Sequence, residues 1–163
     1  MKNEMKTYKV CFVCTGNACR SPFAECVLRT LLAKESITGI EVLSRGTLNW
    51  GENPRDETMV QVAHEMGYEL TGTTTPMTYE TLNEVDVIVI FDTNHREAVT
   101  RVLDYCNWDR IVLFDKLSFQ TETDVKDPHY QTIALYRKIA NHIEQGCLKM
   151  IEQWKDVPPI AQS

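Results

Sequence analysis

The chain has 163 residues, 43% of them hydrophobic and 25% charged, which fits one globular domain over residues 1–163 with a substantial core. Its net charge of −6, from 17 Lys and Arg against 23 Asp and Glu, argues against nucleic-acid binding, which needs a basic surface. No apolar run approaches the ~18 residues of a membrane helix, and the first residues lack the apolar region of a signal peptide. We therefore expect a cytoplasmic protein without a membrane partner.

Six cysteines would permit three disulfides. The lack of a signal sequence and the adequate core argue instead for free thiols in a reducing compartment. The cysteines are therefore available for chemistry.

The first half of the chain alternates short strands with helices. The apolar run Lys9–Val13 predicts a buried strand that ends at a Thr-Gly-Asn turn. A helix follows, with Ser21 as its N-cap and Pro22 at its first position. A second strand is predicted over Ile40–Ser44 and a second helix over Glu57–Met66.

The second half repeats this alternation. The β-branched run Val85–Phe91 is typical of a central parallel strand covered on both faces. Helical spacing predicts a helix over Asn94–Leu103, and Ile111–Phe114 predicts a fourth strand. A final long helix has a stripe of inward-facing residues: Tyr136, Ile139, Ala140, Ile143, Cys147, Ile151 and Trp154. The ends, residues 1–8 and 156–163, are predicted to be flexible.

This order of elements predicts the fold class. Strands that alternate with helices imply right-handed crossovers in a parallel sheet. We expect an α/β fold, a single-domain three-layer sandwich with a four-stranded parallel sheet and helices on both faces. Ligands of such sheets bind at the carboxyl ends of the strands, where the loop after Val13 lies.

The loop CTGNACRS has the features of a phosphate-binding site. Successive backbone N–H groups at a helix N-terminus form a cradle for an anion, and Gly16 permits the bend. Arg20 lies six residues after Cys14, so its guanidinium can bind two oxygens of one phosphate. The predicted phosphate-binding loop also contains Thr15, Gly16, Asn17, Ala18, Cys19 and Ser21.

The same loop activates a thiol. The helix N-terminus and Arg20 stabilise a thiolate, so we expect Cys14 to be ionised at neutral pH and to attack a phosphoryl group. Arg20 and the amides offset the developing charge, so no metal and no cofactor is required. Ser21 can donate a hydrogen bond to the thiolate and make it a better leaving group.

Two simpler interpretations compete with this one. Cys11 and Cys14 form a CxxC, which suggests a redox pair or half a zinc site, but no second CxxC or paired histidine completes a metal set. Alternatively, the loop is an inert turn with buried cysteines. Cys, Gly and Arg all lie where the chemistry requires them, which favours phosphate binding.

The loop and its surroundings, VCFVCTGNACRSPFAE, closely resemble the low-molecular-weight protein tyrosine phosphatase family. The resemblance continues through SRGTLNWGENP, VDVIVIFDTNH and DVKDPHYQ and covers nearly the whole chain. It implies that Cys14 is the nucleophile, Arg20 the phosphate clamp and Asp127 the acid that protonates the leaving oxygen. A phenolate leaves poorly unless it is protonated, which agrees with this role.

The resemblance also implies supporting residues. Asn17 and Ser44 are similar to members of the polar network that fixes the family's loop. Many relatives continue this network through a histidine where this chain has Gly72, so the loop is held less rigidly or a threonine substitutes. Trp50, His129 and Tyr130 resemble the family's pocket walls, although core packing is the alternative for Trp50.

The remaining cysteines and histidines are assigned more simply. The resemblance and the spacing imply that Cys14 and Cys19 form a reversible protective disulfide on oxidation. The other thiols are expected to pack in the core: Cys11, Cys26, Cys106 and Cys147. Ordinary surface or core roles are expected for His64, His95 and His142.

The sequence therefore favours a protein tyrosine phosphatase that acts on a phosphorylated protein or peptide through a phosphocysteine. A phosphoarginine phosphatase of the same family is the main alternative, because Ala18 matches neither the threonine of that branch nor the isoleucine of the tyrosine branch. An arsenate reductase would need cysteines where this chain has FDTNHREAV. A phosphocysteine carrier domain would have to avoid activating water, which Asp127 argues against.

Overall fold

A computed structural model describes residues 6–160 of the chain. Four parallel strands form one sheet: β1 (Tyr8–Cys14), β2 (Ile40–Gly46), β3 (Val87–Ile90) and β4 (Ile111–Leu113). Their order is β2-β1-β3-β4, so β1 pairs with a neighbour on each side. The helices are α1 (Arg20–Lys34), α2 (Glu57–Glu65), α3 (Tyr79–Asn83), α4 (Asn94–Val102), α5 (Phe114–Phe119) and α6 (Ile133–Asp156), with a 3-10 turn at Trp108–Arg110.

Both faces of the sheet are covered, because alternate residues of β1 point into two separate cores. Val10 and Phe12 join the larger core, to which α1, α2 and α6 contribute. Cys11 and Val13 join the smaller core on the opposite face, to which α4 contributes. The predicted α/β sandwich with a four-stranded parallel sheet is confirmed.

Several predicted boundaries are wrong. Helix α1 begins at Arg20 with Cys19 as its N-cap, so neither Ser21 nor Pro22 has the predicted position. Residue Phe114, predicted in the fourth strand, begins helix α5 instead. The third strand is shorter than Val85–Phe91, since the ladder to its neighbours ends at Ile90.

Two short helices escaped prediction. Helix α3 follows the threonine-rich segment, with the Thr78 hydroxyl accepting a hydrogen bond from the amide of Thr81. Helix α5 follows β4 without a connecting loop. Both are too short to show a hydrophobic period, which explains why the pattern did not reveal them.

The predicted flexible ends lie mostly outside the described residues. Where the structure describes them, Tyr8 already belongs to β1 and Asp156 to α6. None of the helices within residues 6–160 is both long and apolar enough to cross a membrane.

Candidate active site

The Cys14 thiol lies at the carboxyl end of β1, under the loop that leads into α1. The side chain is buried, with 3% of its surface exposed. The Ser21 hydroxyl lies 2.9 Å from Cys14 Sγ, and the Ser21 backbone amide donates to the same sulfur at 3.4 Å. Ser21 therefore contacts the sulfur instead of capping α1, which corrects its predicted role as the N-cap.

Hydrogen bonds from residues outside the loop hold its backbone in place. Carbonyl oxygens of Cys14, Thr15 and Ala18 accept hydrogen bonds from the amides of Thr47, Leu48 and Asp56, at 2.9 to 3.0 Å. No described residue accepts a hydrogen bond from the amides of residues 16–19. These donors, together with the N-terminus of α1, are free to bind an anion.

Asn17 determines the shape of the loop. It is fully buried and left-handed, with φ of 57°. Its Nδ2 donates to Ser21 Oγ at 2.9 Å and to Ser44 Oγ at 3.0 Å. The structure therefore brings together the three residues that the sequence analysis grouped around the loop.

The polar network around Asn17 continues through Arg55 and the Thr75 backbone, and no threonine side chain of the described residues joins it there. Gly72 has φ of 91°, and the guanidinium of Arg55 occupies the space beside it. Asn17 Oδ1 accepts from Arg55 Nη1 at 2.9 Å and from the backbone amide of Thr75 at 2.9 Å. Arg55 was not singled out in the sequence, because its partner lies 38 residues away.

Arg20 is buried with 2% of its surface exposed. Its Nη1 donates to Asp92 Oδ2 at 3.0 Å and to the carbonyl oxygen of Val125 at 2.8 Å. Its Nη2 lies 3.5 Å from Thr15 Oγ1 and 3.7 Å from Asp127 Oδ2. The guanidinium therefore joins the phosphate loop to the segments after β3 and before α6.

His95 is buried beside the loop, which agrees with the core position that was one of the ordinary roles expected for it. It is buried, and its Nε2 lies 3.0 Å from Thr15 Oγ1 and 3.6 Å from Asp92 Oδ2. Burial lowers the pKa of His95 to about 4 despite the opposing effect of Asp92, so the ring is neutral at physiological pH. Its Nδ1 is buried without a partner among the described residues.

Asp127 lies at the mouth of the loop with 45% of its side chain exposed. Its Oδ1 accepts from the backbone amide of His129 at 3.0 Å, while Oδ2 faces Arg20. Upstream, the amide of Val125 donates to the carbonyl oxygen of Phe91 at 2.7 Å, and the Asp124 carboxylate accepts from Thr93. These bonds hold the segment that carries Asp127 against the end of β3.

The loop opens into a larger cavity. A space of about 40 Å³ over Cys14 is bordered by Ala18, Trp50, Asp127 and His129. An adjoining cavity of about 530 Å³ shares Ala18, Trp50 and His129 and adds Tyr130 and Tyr136. The three predicted pocket residues therefore line one cavity, and half-exposed Trp50 is not a core residue.

Trp50 packs closely against the loop. A Cβ placed on Gly16 would lie 2.2 Å from Trp50 Cζ3, so only glycine permits this approach. The ring centroids of His129 and Tyr130 lie 3.8 Å apart, and His129 Nδ1 lies 3.5 Å from Asp56 Oδ2. Both rings line the cavity together with Trp50.

The cysteines differ in environment, and all six are free thiols. Burial raises the pKa of Cys19 well above its usual value, and the nearby Cys14, Asp56 and Asp127 add to this effect. Burial also raises the pKa of Cys11 to about 12. Cys26 is half-buried and Cys106 is exposed in the turn after α4, so the prediction that Cys106 packs in the core is wrong.

Comparison with known proteins identifies the family of this chain. Residues 9–157 match the sequence profile of the family described as low molecular weight phosphotyrosine protein phosphatase. A low molecular weight protein-tyrosine-phosphatase, PtpA of Staphylococcus saprophyticus, is 34% identical over 124 residues, which cover 74% of this chain and 78% of the relative.

Solved structures agree in fold. A low molecular weight phosphotyrosine phosphatase from Vibrio cholerae superposes with a TM-score of 0.84 at 27% identity, covering 91% of this chain and 97% of the other. A YwlE arginine phosphatase mutant with a phosphorylated active-site serine gives 0.85 at 22% identity, covering 91% and 97%. The chain thus belongs to the low molecular weight phosphotyrosine protein phosphatase family and is a phosphatase.

Proposed function

We propose that the protein hydrolyses phosphotyrosine in proteins or peptides through a phosphocysteine on Cys14. The single observation that carries this proposal is the arrangement around the sulfur. Cys14 Sγ lies beneath a ring of unused backbone amides, with the Ser21 hydroxyl at 2.9 Å. A phosphate bound to those amides and Arg20 would place its phosphorus in line with the thiolate.

In the first step the thiolate attacks phosphorus while the bond from phosphorus to the tyrosine oxygen breaks. Arg20 and the amides offset the charge on the three equatorial oxygens. Asp127, in its carboxylic acid form, gives its proton to the leaving phenolate oxygen, so tyrosine departs neutral. The position of Asp127 at the mouth of the loop, 3.7 Å from Arg20, fits this role.

In the second step water attacks the phosphocysteine and the phosphorus–sulfur bond breaks. The Asp127 carboxylate takes a proton from the water, which returns this group to its acid form. Ser21 donates a hydrogen bond to the departing thiolate, and inorganic phosphate leaves. At the end of the cycle Cys14, Arg20 and Asp127 are thus back in their starting states.

The adjoining cavity supports tyrosine as the substrate residue. The rings of Trp50, His129 and Tyr130, which line this cavity, could hold a flat ring that extends from the phosphate. Ala18 borders both this cavity and the space over Cys14. Phosphoarginine shares the phosphate chemistry and is the substrate to test against.

We also propose that the protein works in the cytoplasm and that oxidation regulates it. The free state of all six thiols supports a reducing compartment. If a peroxide converts Cys14 to a sulfenic acid, the Cys19 thiol can displace water and form a disulfide that thiols later reduce.

The test compares a phosphotyrosine peptide with a phosphoarginine peptide of the same sequence, in chelator and reductant. We expect kcat/KM to favour phosphotyrosine, Cys14→Ser to abolish turnover and Asp127→Asn to lower kcat by roughly 10²–10⁴-fold. Asp109→Asn, at an exposed carboxylate of the 3-10 turn, is the matched control and should retain activity.

Preference for phosphoarginine would contradict the proposed substrate, while turnover by Cys14→Ser would contradict the proposed nucleophile. A wild-type protein that accumulates phosphocysteine without releasing phosphate would point to a carrier domain.

A further inference from the structure

Arg55 connects the phosphate loop to the segment after α2. It lies directly before Asp56, the N-cap of α2. Its Nη1 donates to the backbone oxygen of Asn17 at 2.6 Å and to Asn17 Oδ1 at 2.9 Å. Its Nε donates to the carbonyl oxygen of Thr71 at 3.1 Å. The guanidinium therefore binds both the backbone and the side chain of one loop residue.

These bonds fix the orientation of the Asn17 amide. Oδ1 receives donors from Arg55 and from the amide of Thr75, so only Nδ2 remains to face Ser21 and Ser44. Asn17 is fully buried in a left-handed conformation that non-glycine residues rarely adopt. A charged donor on both of its oxygens offsets the cost of that conformation.

Ser21 connects the Asn17 amide to the Cys14 sulfur. The Ser21 hydroxyl accepts a hydrogen from Asn17 Nδ2 at 2.9 Å, which leaves its own hydrogen for another acceptor. The Cys14 sulfur lies at 2.9 Å, while the alternative acceptor, the Arg45 carbonyl oxygen, lies at 3.4 Å. Arg55 is thus linked to the thiolate by two intervening side chains.

Gly72 provides the space for this arrangement. A Cβ on residue 72 would lie 3.2 Å from Arg55 Nη2, and φ of 91° at this position already favours glycine. A side chain at residue 72 would thus press on the guanidinium.

We infer that Arg55 is a positioning residue for the nucleophile: seated beside Gly72, it orients Asn17 so that Ser21 donates its hydrogen bond to the Cys14 thiolate. This inference rests on the proposed role of Cys14, but Arg55 itself does not contact the reacting atoms. Loss of the guanidinium would let the Asn17 amide turn and would weaken the Ser21 bond to the sulfur.

The experiment measures the alkylation of Cys14 by iodoacetamide across pH, located by peptide mass spectrometry, with thermal unfolding followed in parallel. In Arg55→Met we expect the pH midpoint of alkylation to rise by about one unit, because the thiolate loses an oriented donor. Arg55→Lys should give an intermediate midpoint, since an ammonium keeps the charge but cannot reproduce the planar pattern of donors.

Arg29→Met is the matched control. Arg29 also donates twice to a backbone oxygen, that of Val42, but it joins α1 to β2 away from the loop. Arg29→Met should leave the pH midpoint of Cys14 alkylation unchanged.

An unchanged midpoint in Arg55→Met or in Arg55→Lys, with or without a lower melting temperature, would overturn the inference and reduce Arg55 to a structural contact. Failure of Arg55→Met to fold leaves Arg55→Lys as the deciding variant. A failure of the proposed function would give a different result. In that case inorganic phosphate would not protect Cys14 of the wild-type protein from alkylation.

Discussion

Arg20 shows how a single residue prepares the site. Arg20 has the largest of the fully buried side chains among the described residues. An isolated charge in such a position would be costly, and the Asp92 carboxylate and the Val125 carbonyl oxygen offset that cost. Nη2 has weaker protein contacts, at 3.5 Å to Thr15 and 3.7 Å to Asp127. This side of the guanidinium is therefore ready to bind a phosphate oxygen.

His95 provides a pH-dependent test at the same scale. Its pKa falls from 6.5 to about 4 in the folded protein because burial disfavours the charged ring. Between these values the unfolded chain binds a proton that the folded chain does not, so stability is complete above pH 6.5 and decreases as pH falls toward 4. We expect His95 to account for a loss on the order of 3 kcal/mol over this window.

Urea unfolding at several pH values checks this expectation. The slope of the unfolding free energy against pH reports how many more protons the unfolded state binds than the folded state. Between pH 6.5 and 4, this number should be smaller by about one proton in His95→Asn than in the wild type. His64→Asn is the control, since the His64 side chain is 74% exposed. Equal slopes in the wild type and His95→Asn would show that His95 is not held neutral.

The residues that the sequence identified and those that it missed differ in one physical respect. Cys14 and Arg20 lie six positions apart, so local spacing alone predicts that they surround one anion. His95 meets Thr15 across 80 residues, and Arg55 meets Asn17 across 38. Such contacts depend on how the segments pack, which no local pattern in one sequence encodes.

Among the elements, helix α1 illustrates a conflict between local preference and the site. Ser21 before an apolar stripe predicts an N-cap, yet its hydroxyl contacts Cys14 and Asn17. Cys19 takes the N-cap position without a side-chain hydrogen bond. The amides of residues 16–19, just before this end, have no acceptor among the described residues, which favours an anion there.

The packing of α5 against α6 gives a prediction about stability. Gly146 lies in the buried face of α6, and a Cβ there would lie 2.4 Å from Phe114 Cε1 and 2.9 Å from Ser118 Oγ. Overpacking costs about 1–3 kcal/mol, from which the ~1 kcal/mol that alanine gains over glycine in a helix is subtracted. We therefore expect Gly146→Ala to lower the free energy of unfolding by up to about 2 kcal/mol.

Chemical denaturation measures this change. Gln145→Ala, one residue earlier on the exposed face of α6, is the control and should be close to neutral. A more stable Gly146→Ala variant would mean that Phe114 moves aside without cost. The sequence alone predicted α6 well because about five turns of periodic residues, Tyr136 to Trp154, make a strong signal, whereas the six residues of α5 do not.

At the scale of the whole molecule, the sheet order places the site. Cys14 ends β1, an inner strand, while Ser44 and Trp50 come from β2 and its following segment. Asp92 and His95 follow β3, and the segment with Asp127 bonds back to the end of that strand. The site therefore assembles only when the segments after all three of these strands have packed together. For this reason the alternation of strands and helices in the sequence predicted the fold, but not the contacts between residues of the site.

We propose that Cys14 carries the phosphoryl group during turnover. A rapid acid quench of the protein mixed with a phosphotyrosine peptide, followed by mass spectrometry of the peptide that contains Cys14, tests this directly. We expect a phosphate on Cys14 that forms within one turnover, decays as inorganic phosphate appears, and is absent in a Cys14→Ala variant. Turnover of the phosphotyrosine peptide at an undiminished rate by Cys14→Ala, or phosphate on another residue, would contradict it.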